Sequence, residues 1–263
     1  MVNGLKLPQN AKNSMAWMLT HFLMMLAWIP TLVHIWSMPT GRMSGPMGMS
    51  LSAFLPYWSL MMAAMMLPAL SPVLSVQLEA LAERGYNFAT LIVRLGGFLL
   101  GYLLLWSLSA LPVYLLSLLG EMLAHSAPAL GVLVGVALLV LVGLYQLAPL
   151  AGRFLRHCNP TLFQEPQHDF SLGCPVELSR GRSVIKGGFR HGLHCMGACG
   201  PLMLVMVVVG LMNLPWMLLL TLLIFLEKTW DQGQRLALAV GPALLLFALL
   251  AACYPTLMPG FSF

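Results

Sequence analysis

Charge is what this sequence most lacks. Asp, Glu, Lys and Arg make up 8% of its 263 residues, against roughly 25% in an ordinary soluble domain. So few charges cannot build a water-exposed surface, which excludes a soluble globular protein. Alternating apolar and polar residues with many polar turns are also missing, which excludes a transmembrane β-barrel. Acid–base pairs and cofactor fingerprints are missing too, so nothing points to an enzyme. The net charge of +5 is no nucleic-acid footprint, because the basic residues sit between apolar runs. Long polar stretches are scarce, and residues 151–182 form the only extended one.

What is present is apolar sequence in lengths near the ~20 residues that cross a bilayer. The runs fall at about 14–37, 53–82, 88–119, 129–150, 184–211, 214–231 and 236–253. They predict an all-α, polytopic transmembrane helix bundle of about seven spans in a single membrane domain. The first run is too long for a signal-peptide core and has no small-residue cleavage site, so it reads as a retained span. Pro68 and Pro72 should kink or loosen the second span. Gly96, Gly97 and Gly101 should let the third approach a neighbour closely. With this count, every Lys and Arg except Arg42 falls on one side of the membrane. The positive-inside rule then puts the N-terminus and the 151–182 loop in the cytoplasm and the C-terminus outside. The expected location is the bacterial inner membrane.

The densest chemistry lies in the fifth run. His191, His194, Cys195 and Cys199 fall within ten residues of Arg190. His191, Cys195 and Cys199 are four apart and share one helix face, with His194 beside it. At 1.5 Å per residue from Val184, His191 lies roughly 10 Å into the membrane and Cys199 roughly 22 Å. Ionisable groups at that depth are costly and mark functional sites. Thiolate and imidazole suit Cu(I) or zinc.

Methionine tilts the choice. The chain has 20, and a thioether is a soft ligand that suits Cu(I) as well as an ordinary gap-filler. Met61, Met62, Met65 and Met66 pair at spacing four in the second run, at comparable depth. His21 lies among Met18, Met24 and Met25 in the first. Met38, Met43, Met47 and Met49 fall in or beside a Pro/Gly-rich outer loop near His34, which reads either as a Cu(I) collection surface or as a membrane-facing loop. Glu227 is a candidate either for an ion pair with Arg190 or Lys186 or for an acceptor that orients a ligating histidine; its alternative is an interfacial carboxylate beside Lys228. His157, Cys158, His168 and Cys174 lack zinc-finger spacing and read as solvated loop residues, with a metal handover site as the alternative.

Several strings resemble a bacterial family described as predicted metal-binding integral membrane proteins. They are Arg190-His191-Gly192 with Cys195 and Cys199, Met212-Asn213-Leu214, Glu227-Lys228, Trp58 with Met61 and Ala64 to Pro68, and Tyr145-Gln146-Leu147 followed by His157-Cys158. The resemblance covers most of the chain. The chain departs from the pattern at Ala198 and Phe154, where family members often carry further cysteines. The family label implies metal binding and supplies no reaction.

The leading expectation is an inner-membrane metal-binding protein handling copper as Cu(I), with zinc second. Embedded in the lipid bilayer, it would collect the ion at the outer Met-rich loop and hold it mid-membrane, for uptake, transfer or delivery to a membrane or periplasmic protein partner. The alternative is a non-catalytic accessory or assembly subunit of a larger membrane oxidoreductase or transport complex.

Overall fold

Proline, glycine and small polar residues divide the apolar runs into separate helices. The computed structural model describes residues 18, 21–22, 24–33, 49–83, 86–158, 184–211, 213–230 and 232–261, without the side chains at 76, 79, 80, 82, 83 and 88. Every regular element among them is helical. In chain order they are α1 (Met24–Val33), α2 (Leu51–Met66), α3 (Ser71–Glu83), α4 (Phe88–Leu108), α5 (Ala110–Ser126), α6 (Pro128–Leu147), α7 (Pro149–Cys158), α8 (Val184–Val209), α9 (Leu214–Thr229) and α10 (Gly233–Cys253). His34, Met38, Met43, Met47, His168 and Cys174 lie outside the described residues.

Four helical stretches are long and apolar enough to cross a membrane: Ala89–Ser126, α6, α8 and α10. A fifth arises if α2 and the following turn count as one span, bent by 49°. The bend sits where the sequence places it. Pro68 has no N–H to continue the ladder and its ring crowds the preceding turn. Helix α2 closes at Leu67, whose N–H donates to Ala63, and a 3-10 turn at Pro68–Leu70 leads into α3. The third predicted run continues beyond 119 to Ser126, with an interruption at Ser109. Helix α9 has 16 residues, short of the ~20 needed to span alone.

Helix α8 is the centre of the bundle. In its apolar window 61% of residues are buried, against 33% in each of the other three. Leucines exposed on α4, α6 and α10 face outward, as in a membrane bundle whose rim meets lipid. Helix α8 packs on α4, α5, α6, α7 and α9. Its contact with α4 runs backbone to backbone. A Cβ at Gly101 would collide with the Ile185 carbonyl, and one at Gly188 with the Phe98 carbonyl. Small residues permit such approach in membrane bundles. Gly101 therefore does what its sequence suggests, whereas Gly96 faces open space.

Two further elements close the bundle around α8. Helix α7 falls inside the stretch read as the polar loop. It buries Ala151, Leu155 and Cys158 while Arg153, Arg156 and His157 stay exposed. After α10 the chain turns back, so that Met258 and Phe261 are buried and Gly260 N–H donates to the Val208 carbonyl at 3.0 Å. Helix α8 itself ends at Gly210, whose φ of 98° is the left-handed conformation glycine adopts cheaply.

Candidate metal centre

The close α4–α8 packing brings Tyr102 to Cys195, which is completely buried. Their side chains meet at 3.1 Å, Tyr102 Oη to Cys195 Sγ. From α9, the Lys228 ammonium donates to the same sulfur at 2.8 Å. Cys158 from α7 and Cys199, one turn further along α8, are hydrogen-bonding neighbours of Cys195. Three thiols, a phenol and an ammonium thus meet in a pocket closed to solvent. All three are free cysteines. Burial, and then the hydrogen bond to Cys195, push the Cys158 thiol well above the ordinary range.

A carboxyl flanks this cluster. Glu227 is buried next to Lys228, and Gln146 Nε2 on α6 donates to its Oε1 at 3.4 Å. The Gln146 Oε1 is itself buried without a partner. Neither Glu227 nor Lys228 snorkels to an interface. The helical face Met217, Leu220, Ile224, Glu227 and Lys228 of α9 points inward as a unit.

The candidates of the fifth run divide into two groups. His191 is buried one turn before Cys195, with its ring 5.9 Å from Tyr102 and 5.7 Å from Phe98. Together with Cys195 and Cys199 it forms the inward face expected from spacing by four. His194 faces α7 instead. It stacks on His157 at 5.3 Å, and its Nδ1 lies 2.9 Å from the Arg190 carbonyl. Phe154, at a position where a further cysteine was expected from the resemblance, stands edge-on to His194 at 6.4 Å.

Met61, Met62, Met65 and Met66 are all buried and belong to the same contiguous core as the three thiols. Helix α2 packs chiefly on α4, α5 and α9. Helices α4 and α9 each contact both α2 and α8. Trp58 anchors α2 by donating to Ser109 Oγ at 3.0 Å and to the Trp106 carbonyl. His21 lies elsewhere. With Met24, Met25 and Trp28 it lines a cleft of about 520 Å³, walled opposite by Pro68 and α9.

Cys158 corrects the sequence reading, which treated it as a solvated loop residue. Its burial follows from position: Ala151, Leu155 and Cys158 repeat at helical spacing on the apolar side of a strongly amphipathic helix. Among the described residues, no three His, Cys, Asp or Glu side chains form a group that could hold a metal ion. Zinc takes four ligands in closed structural sites. A soft monovalent ion that accepts two thiolates asks for less, and the donors at Cys195 fit it.

A protein-family model described as PpoB2, a copper chaperone, matches residues 55–251. That span contains most of α2 through most of α10, including Tyr102, Cys158, Cys195, Cys199 and Lys228, and excludes His21. No curated protein and no solved structure matches the chain.

Proposed function

The chain belongs to the PpoB2 copper chaperone family, and from that premise we propose that it carries Cu(I) on the buried thiol centre at Cys195. Cys195 and Cys199 are the ligands, with Cys158 as the adjacent third thiol. The observation that carries this reading is the convergence of three free thiols on one buried point. All three are free and buried, so their sulfurs are open to a soft ion. Thiolate sulfur selects Cu(I) over harder ions. Copper is the cargo, not a resident cofactor.

The same reading assigns the rest of the molecule. The protein is a multi-pass protein of the bacterial inner membrane, with about seven spans and the N-terminus in the cytoplasm. Met61, Met62, Met65 and Met66, in the same core as the centre but on α2, supply weak soft donors, so that the ion meets thioethers before thiols. Met24, Met25 and His21 serve the first span in the same way. His191 lines the centre on the side facing α4, and His194 with Arg190 orders the α7–α8 contact. Delivery goes to a membrane or periplasmic protein that binds the ion more tightly.

Anaerobic Cu(I) titration of the purified protein against a chromophoric chelator tests the reading. Wild type should retain Cu(I), and Cys195→Ser with Cys199→Ser should lose most of it. Equal retention by the double variant, or none by a folded wild type, overturns the proposal.

A further inference from the structure

We infer that Lys228 is the built-in counter-cation of a Cu(I)–dithiolate centre, the positive charge that makes an anionic metal complex tolerable inside the bundle. This rests on the Cu(I) reading above and deepens it. Ligating thiols lose their protons when a metal binds. One Cu(I) held by the thiolates of Cys195 and Cys199 therefore carries a formal charge of −1. An isolated charge in a low-dielectric interior is heavily penalised unless paired. The cation that pairs it is already in place. Lys228 is 2% exposed and its Nζ lies 2.8 Å from Cys195 Sγ.

The surrounding groups support that assignment. Tyr102 donates no full charge, and its hydroxyl meets the same sulfur from α4. Glu227 adjoins the centre near Cys199 and receives the Gln146 amide. If that carboxyl is ionised the centre becomes more anionic, so the demand for Lys228 only grows. A sulfur bound to copper keeps lone pairs for hydrogen bonds, so Lys228 need not leave when the ion arrives. The lysine thus acts through the ligand as a positioning and charge-balancing group, and does not itself touch the metal. Its placement also gives a lysine buried at a point with no access to water a charge to balance.

The test uses full-length protein in detergent, with Cu(I) affinity measured by anaerobic chelator competition. Lys228→Met removes the charge at similar volume. Lys228→Gln removes the charge but keeps an N–H donor. Lys228→Arg keeps both. Loss of an outer-shell partner typically lowers metal affinity 10–100-fold. We expect a loss in that range for Met and Gln and near wild-type affinity for Arg. Circular dichroism and gel filtration establish that each variant is folded, and the Gln variant carries the test if Met does not fold. Wild-type or tighter binding by Lys228→Gln or Lys228→Met overturns the inference while leaving the copper centre intact. Absence of Cu(I) binding in wild type, or unchanged binding in the Cys195/Cys199 double variant, defeats the copper reading itself.

Discussion

Tyr102 and Cys195 are 93 positions apart in sequence, yet their oxygen and sulfur lie 3.1 Å apart at the junction of α4 and α8. Gly101 and Gly188, each preceding the contact on its own helix, bring the two backbones together. A net hydrogen bond of this kind contributes about 1 kcal/mol. Tyr102→Phe should lower thermal stability by about that amount and weaken Cu(I) binding only a few-fold, because the ligands remain. Loss of all binding in a folded Tyr102→Phe protein would contradict a supporting role for the phenol.

The glycine contact makes a stronger prediction. A leucine at Gly188 would have to displace the Phe98 carbonyl, and forcing bulk into a packed core costs about 1–3 kcal/mol. Gly188→Leu should melt earlier and bind Cu(I) more weakly, since α4 and α8 separate at the site. Gly96→Leu, where nothing lies within contact, is the control and should melt like wild type.

Thiol labelling separates buried from accessible cysteines. In a Cys174→Ser background, maleimide at neutral pH should modify Cys253, which is exposed, and spare Cys158, Cys195 and Cys199 until the protein is denatured. Burial holds the Cys158 proton on in the folded state at pH values where the unfolded thiol, near 8.5, loses it. Its contribution to stability should therefore fall as pH rises through and above the ordinary thiol range. Rapid labelling of Cys158 in folded protein would place α7 away from the bundle.

His21 lines a cleft apart from the thiols. His21→Ala should leave the Cu(I) affinity of purified protein unchanged while slowing loading from dilute Cu(I). A large drop in equilibrium affinity would mean that α1 contributes a ligand to the main centre.

How much of this was legible in the sequence depends on the kind of signal. The helical class follows from apolar run length, and the break at Pro68 from the missing N–H of proline. The inward face of His191, Cys195 and Cys199 follows from spacing by four. Cys158 was missed because eight residues of amphipathic helix were read with the polar loop that follows them, although Ala151 and Leu155 already marked its buried face. Lys228 was paired with Glu227 as an interfacial residue for want of the helix register. Counting forward from Met217 by three and four places both on the buried side. The split of His194 from His191 was not legible at all, since it depends on which neighbour each face of α8 meets. Nor was the separation of α2 from α8, which is a matter of tertiary order.

X-ray absorption at the copper edge of Cu(I)-loaded protein tests the central claim most directly. The account predicts a low-coordinate Cu(I) site with sulfur scatterers only, and its loss in Cys195→Ser. A shell dominated by nitrogen or oxygen, or a sulfur shell that persists unchanged in Cys195→Ser, would contradict it.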